Sequence, residues 1–138
     1  MKKILLALLI SLLGGSACYA ETKSKEELIQ LAIDCNDDDN YQQALDYSLE
    51  VLKKDKRNAQ AYCQAGIALR KLNRNKEALD KLKLAEQYAG QDKELLSNVY
   101  SEMGFFYENM NNCLQAQKMF KKSIEIDRAL QEAPSTPE

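Results

Sequence analysis

The sequence predicts an all-α chain, an α-solenoid of three antiparallel helix pairs, and two observations carry that prediction. The first is self-similarity, because one pattern of large and small residues occurs three times, at offsets of 34 and then 38 residues. The second is its period, because apolar residues at i, i+3, i+4 and i+7 fall on one face of a helix. One helix pair cannot bury its own faces, so a stack of about three is the usual minimum for stability.

The middle copy shows the pattern most clearly. Its first predicted helix carries Tyr62, Ala65, Gly66 and Leu69, and its second carries Ala78, Leu82 and Ala85. The same pattern returns as Tyr100, Met103, Gly104, Tyr107, Ala116, Phe120 and Ser123, and less strictly as Leu28, Leu31, Ala32, Cys35, Ala44, Ser48 and Val51. A glycine inside a helix costs about 1 kcal/mol relative to alanine. We therefore expect two helices to approach closely at Gly66 and at Gly104.

This pattern resembles the tetratricopeptide repeat (TPR), over roughly residues 25–128. The resemblance implies a TPR-like superhelix in which the first helix of each pair lines a concave groove. We predict a helical domain over 21–131, with repeats at about 25–58, 59–96 and 97–130. The longer second offset implies four extra residues near 90–93, which form either a longer loop or an extended helix start. Asp92 and Asn112 are predicted N-caps, and Gly90 a left-handed helix end.

Residues 1–20 have the three zones of a signal peptide, which are a basic start, an apolar run and a stretch of small residues. Cleavage after Ala20 would release a periplasmic or secreted protein. Gly15 to Cys18 partly resembles a bacterial lipoprotein box, so lipidation at Cys18 and membrane anchoring are the alternative. Residues 132–138 are a predicted disordered tail, because Pro134 and Pro137 oppose helix continuation.

The composition argues against catalysis and against nucleic acid as a partner. The chain has no histidine, which removes the commonest general base and metal ligand, and its few glycines form no phosphate-binding loop. Loss of residues 1–20 would change the net charge from −2 to −4, so no basic surface is expected. We predict no enzyme activity, no cofactor, no metal and no small-molecule substrate.

Two groups of residues have a chemical and a plain interpretation. The acidic segment 34–39 lacks the glycine and the final carboxylate of a calcium-binding EF-hand loop, so it is interpreted as a solvated turn. Cys35 occupies a core position and is interpreted as a small buried hydrophobic residue. Removal of residues 1–20 would leave an odd number of cysteines, which favours a free thiol or a bond between chains.

The predicted function is binding of a peptide or protein segment in the concave groove of the array. The residues predicted to form the groove are Ile29, Ile33, Cys63, Ile67, Arg70, Lys71, Ser101, Phe105 and Glu108. The plain interpretation is that the apolar members fill space between neighbouring helices. The alternative function is a self-associating structural or lipoprotein component of a bacterial envelope. It rests on an uncovered stripe of the sixth helix, Met119, Ile126 and Leu130, with Ala116, Phe120 and Ile124 facing inward.

Overall fold

The computed structural model describes residues 22–133, and this range contains six α-helices and no strand. The helices are α1 (Lys25–Asp37), α2 (Tyr41–Lys54), α3 (Ala59–Lys71), α4 (Asn75–Tyr88), α5 (Lys93–Asn109) and α6 (Cys113–Glu132). They pack as the pairs α1/α2, α3/α4 and α5/α6, each joined by a three-residue loop that makes its helices antiparallel. The predicted fold class is confirmed. The predicted signal peptide and residues 134–138 lie outside the described residues.

Polar side chains begin most of the helices, and residues with positive φ end them. Ser24 and Glu27 form a capping box at α1, while Asn58, Asp92 and Asn112 accept bonds from the first turns of α3, α5 and α6. The loops within the pairs turn at Asp39, Asn73 and Asn111, which occupy equivalent positions and have φ of 61°, 60° and 56°. Gly90, with a φ of 59°, ends α4 as predicted.

The four extra residues lengthen a helix rather than a loop. The connections before α3 and before α5 both have four residues, whereas α5 has 17 residues and α1 and α3 have 13 each. The additional turn lies at the start of α5, because Tyr100 stands seven residues into that helix and its equivalent Tyr62 only three. The third repeat therefore begins at Lys93 rather than at the predicted residue 97.

Each helix pair matches a small residue on its first helix to a larger one on its second. A Cβ atom added to Gly66 would lie 2.8 Å from Leu82, and one added to Gly104 would lie 2.5 Å from the Phe120 ring. In the first pair Ala32 stands at the glycine position, and the position opposite it is occupied by the smaller Ser48. The close approach predicted at both glycines is confirmed.

The pairs stack into a curved array with the first helices on its inner side. Helix α1 contacts α3 and α3 contacts α5, whereas the second helices of the described residues do not contact one another. Each new first helix also packs against the second helix before it, as α3 does on α2 and α5 does on α4. The concave side is therefore formed by α1, α3 and α5.

Two residues of α6 lie on faces that differ from the prediction. Met119 was expected on an uncovered stripe, but it is buried in a cluster with Leu82 and Val99. Ile124 was expected to face inward, but it is 57% exposed. Ser123 is buried in its place, with its hydroxyl 2.9 Å from that of Ser97. The faces differ because α6 turns Ser123, equivalent to Val51 and Ala85, towards α5.

Candidate functional site

A row of three apolar residues runs along the concave side at one equivalent position of each repeat. It consists of Ile33 on α1, Ile67 on α3 and Phe105 on α5, and we call it the concave row. Ile33 and Ile67 are half-buried, and Phe105 is 42% exposed. Phe105 packs edge-on against Phe120 with ring centroids 5.1 Å apart, so its position is fixed although much of the ring meets solvent.

Two polar links cross the concave side between successive repeats. Arg70 of α3 donates from Nε and Nη2 to the Glu102 carboxylate of α5, at 3.1 and 2.7 Å. Asn36 of α1 donates from Nδ2 to the Gln64 side chain of α3 at 2.8 Å. Arg70 is equivalent to Asn36 at the offset of 34 residues, and Glu102 is equivalent to Gln64 at the offset of 38. The two links are therefore the same contact in successive repeats, made by two amides in the first and by an ion pair in the second. We call it the inter-repeat link.

Several residues predicted for the groove are used in packing between repeats instead. Cys63 is 1% exposed, within a cluster that contains Val99 and Met103 of α5, so it cannot contact a ligand. Burial also raises the pKa of its thiol to about 12. Arg70 is held in the inter-repeat link, and its guanidinium carbon lies 5.6 Å from the Phe105 ring centroid. These side chains lean towards the following repeat, which covers them.

Ile29 also packs between repeats, whereas Ser101 contacts the second helix of its own pair. Ile29 packs against the cluster of Leu28, Val51 and Ala61 that joins the first two repeats. The Ser101 hydroxyl lies 3.2 Å from that of Ser123 on α6. For Ile29 and Cys63, filling of space between helices is the interpretation that the contacts support. Ile67 packs against the same cluster as Cys63 but remains only half-buried in the concave row.

Lys71 and Glu108 remain exposed beside the concave row. The Lys71 ammonium lies 5.8 Å from the centroid of the Tyr41 ring. Gln60 and Asn98 lie on the predicted stripes of this side, whereas three other polar residues were not predicted, namely Gln64, Glu102 and Asn109. The offset of 38 residues could have identified them, because it aligns Gln64 with Glu102 and Lys71 with Asn109.

The N-terminal end of the stack is polar. Its outer stripe on α1 contains the exposed Glu27, Gln30 and Asp34 and the half-buried Leu31, which together we call the N-terminal face. Glu27 stands where Ala61 and Val99 are buried, and Asp34 stands where Ala68 and Phe106 are buried. These residues line a shallow cavity of about 590 Å³ together with residues 22–24. A polar outer surface is typical of a terminal repeat that must remain in water.

The C-terminal end of the stack is more apolar. The positions through which earlier repeats cover the next first helix are occupied here by Phe105, Glu108, Cys113, Gln117, Phe120 and Ile124, which we call the C-terminal face. Phe105 is 42% exposed and Ile124 is 57% exposed. No helix among the described residues covers them. Of the residues predicted for a C-terminal interface, Ile126 is half-buried and Leu130 is 36% exposed, and neither belongs to this face.

Within residues 22–133 the three cysteines, Cys35, Cys63 and Cys113, are free thiols, and Cys113 is exposed at the start of α6. No group of three or more potential metal ligands is assembled in this part of the chain. None of its helices combines the length and the apolar character that a bilayer crossing requires. Cys18 and the segment around it lie outside the described residues.

The described fold is similar to that of MamA, although no family model and no curated protein matches the chain. The MamA MSR-1 structure has a TM-score of 0.63 and 23% identity, and the match covers 78% of this chain and 59% of that one. The MamA AMB-1 structure has a TM-score of 0.63 and 24% identity, and the match covers 78% of this chain and 61% of that one. A MamA point mutant has a TM-score of 0.60 and 25% identity, and the match covers 82% of this chain and 62% of that one. The chain thus spans about three-fifths of the length of these structures. The matches show a TPR-like α-solenoid.

Proposed function

We propose that this chain is a protein-binding scaffold whose concave side holds a segment of another protein. The observation that carries the proposal is the concave row, because Ile33, Ile67 and Phe105 repeat one apolar position along three adjacent first helices. The similarity to MamA supports a scaffold fold of this kind. A row of apolar contacts at repeated spacing suits a helix or an extended segment that inserts apolar side chains at intervals.

The charges beside the row suit a partner with polar flanks. Lys71 lies four residues after Ile67 and Glu108 lies three residues after Phe105, so one exposed cation and one exposed anion flank the row. Charged residues at the rim contribute more to specificity and to the rate of encounter than to affinity. The recognised segment therefore combines apolar anchors with an acidic residue near Lys71. Arg70 and Cys63 act as support, since Arg70 is held by Glu102 and Cys63 is buried.

The most direct test is loss of binding after a charge is placed on the row. Phe105→Glu should reduce recovery of partners from a native extract at least about tenfold, because the segment would have to bury a carboxylate. Lys71→Glu should reduce it less, by about threefold. The matched control is Leu114→Glu, which makes the same chemical change at a residue of α6 that is 76% exposed.

Helicity of each variant, measured by circular dichroism, separates lost binding from unfolding. If Phe105→Glu and Lys71→Glu both retain the partners of the unaltered protein at equal affinity, the concave row is not the binding surface. If Phe105→Glu does reduce binding, Ile33→Gln distinguishes the row from the C-terminal end, because Phe105 lies on both and Ile33 lies in the first repeat.

Export and anchoring belong to this proposal. We propose that the mature protein lacks residues 1–20 and acts in the periplasm or outside the cell, with a form lipidated at Cys18 as the alternative. Support comes from the basic, apolar and small zones of the N-terminus. The intact mass of the protein from its native host tests this. A start at Glu21 gives the soluble form, a diacylated Cys18 gives the anchored form, and an intact Met1 contradicts export.

Self-association through α6 is the second candidate. It is favoured by Ile126 and Leu130, which remain partly exposed, although Met119 no longer belongs to that stripe. Replacement of Ile126 and Leu130 by lysine should lower the association state seen by sedimentation without loss of helicity. A protein that is monomeric at high concentration before any substitution removes this candidate.

A further inference from the structure

The inter-repeat link has a third copy that lacks its second half. The first half of the link is Asn36 in the first repeat and Arg70 in the second, and the equivalent residue of the third repeat is Glu108. The second half, Gln64 or Glu102, is always supplied by the next first helix. Glu108 is exposed and has no ion-pair partner among residues 22–133. Its position thus marks where the first helix of a fourth repeat would be held.

The surroundings of Glu108 have the composition of a helix-binding surface. In the second repeat the corresponding positions of α4 contact α5 directly, since Leu82 joins the cluster with Val99 and Met103 and Glu86 accepts a bond from Tyr100. The corresponding residues of α6 are Phe120 and Ile124. The change from Glu86 to Ile124 adds an apolar side chain and the change from Leu79 to Gln117 removes one, so the C-terminal face keeps the apolar character of the surface that α5 covers. An exposed apolar patch with a charged rim is typical of an interaction site.

A second copy of this chain does not complement that surface. The N-terminal face presents Glu27 and Asp34 at the positions where α5 inserts Val99 and Phe106. Head-to-tail stacking would therefore bury two carboxylates against apolar side chains, and the residue placed opposite Glu108 would be the uncharged Gln30 rather than a cation. Buried charges without a partner are strongly unfavourable, so the charges oppose this arrangement.

We propose that the C-terminal face binds an amphipathic helix of a different protein, in the place of a fourth repeat's first helix, with a lysine or arginine of that helix paired to Glu108. The chemistry of the helix follows from α3 and α5, which fill the same place in the array. It carries small or apolar residues at the positions of Ala61, Ala65 and Ala68 in α3, or Val99, Met103 and Phe106 in α5. At the position of Gln64 and Glu102 it carries a cation, because Glu108 reverses the charge of Arg70. Only Phe105 is shared with the concave row.

Helix α5 itself supplies the probe for a test. Two fluorescein-labelled peptides span residues 93–110, one with the natural sequence and one with Glu102→Arg. Both are stapled through positions 97 and 101, which face α6 in the protein and are free in the complex. Binding to the full chain is measured by fluorescence anisotropy.

The expected result is a charge-dependent preference. The unaltered protein should bind the Glu102→Arg peptide at least about tenfold more tightly than the natural one, and Glu108→Arg should reverse that order. Ile124→Asp should weaken binding of the preferred peptide at least about tenfold by placing a charge in the apolar contact. The control Leu114→Asp lies on α6 outside the face and should leave both affinities unchanged.

Several outcomes would overturn the proposal. They are failure of both peptides to bind, equal affinity of the unaltered protein for the two peptides, and binding that Ile124→Asp does not affect. A concentration-dependent dimer in sedimentation that Ile124→Asp dissociates would assign the face to a second copy instead. None of these outcomes shows whether the concave row binds a partner, because Lys71→Glu and Ile33→Gln test that function separately.

Discussion

The two ends of the stack expose surfaces of opposite chemical character. Within residues 22–133, no neighbouring helix covers at either end the positions that are covered elsewhere in the array. On the N-terminal face the positions that are apolar in α3 and α5 are occupied by Glu27 and Asp34. On the C-terminal face Phe105 and Ile124 remain partly exposed. The first end is compatible with water as it stands, and the second end is suited to a contact.

This difference has an energetic reason. Burial of a large apolar side chain is worth about 1.5 to 3 kcal/mol, so an uncovered pair of such residues provides a driving force for association. Carboxylates at the other end remove that driving force and add a desolvation cost. An array with one polar and one apolar end has a direction, which opposes unlimited stacking of copies.

The largest expected effect concerns the packing under the C-terminal face. Gly104→Ala should lower the free energy of unfolding by about 2 kcal/mol, because the new methyl group would lie 2.5 Å from the Phe120 ring. Chemical denaturation measures the loss. Phe120→Leu in the same chain should restore part of it by removing the ring. Unchanged stability of Gly104→Ala would mean that α5 and α6 are less closely packed than described.

The next largest effect on stability is expected at the inter-repeat link, where one variant in each repeat allows the three equivalent positions to be compared. Arg70→Ala should cost about 1.5 kcal/mol and Asn36→Ala about 1 kcal/mol, because each removes hydrogen bonds to the following helix. Glu108→Ala should cost almost nothing in the isolated protein. Denaturation of the three variants gives the comparison. A cost for Glu108→Ala equal to that for Arg70→Ala would show that the C-terminal end is already covered.

The periodicity of the sequence predicts some of these contacts and leaves others undetermined. The i, i+3, i+4, i+7 period identifies the face between the helices of a pair, and this is why six helices and the two glycine contacts were predicted. A period does not indicate which flank of a helix leans on the following repeat. For this reason Cys63 and Arg70 were assigned to the groove, Met119 to an open stripe and Ile124 to the core.

Comparison of the three copies contains the missing information. A position that is apolar in two copies and charged in the terminal one, such as Ala68, Phe106 and Asp34, marks a surface that the array covers only internally. The Arg70–Glu102 pair and the Asn36–Gln64 pair are visible in the same way. The offset alone does not assign the length of α5, because a longer loop and an extra helical turn satisfy it equally well; the predicted N-cap Asp92 is the residue that places the helix start at Lys93.

Thiol reactivity provides a third and smaller distinction between the inner array and its C-terminal end. Burial raises the pKa of Cys63 to about 12, so very little thiolate is present at neutral pH. A thiol reagent should modify exposed Cys113 rapidly in the native protein and Cys63 only after unfolding. Mass spectrometry of the modified peptides measures both rates. Rapid modification of Cys63 under native conditions would contradict the contact between α3 and α5.

The smallest expected effect is the pH dependence of the loop after α2. The backbone N–H of Arg57, followed by the Lys25 ammonium, lowers the pKa of Asp55 below its ordinary value. A lowered folded-state pKa stabilises the fold above the unfolded pKa, and this stabilisation disappears as the pH falls through the folded pKa. Asp55→Asn should therefore make stability less sensitive to acidification below about pH 4. Parallel denaturation curves for the two proteins in that range would contradict this role.

The difference between the two ends is tested most directly by photocrosslinking in the native host. A benzoylphenylalanine replaces Gln117 on the C-terminal face or Gln30 on the N-terminal face, and both residues are exposed. We predict adducts from position 117 that map to a helical segment carrying a lysine or arginine in another protein, and almost none from position 30. Adducts from position 30 alone, or adducts that join positions 30 and 117 to copies of this chain, would contradict the account.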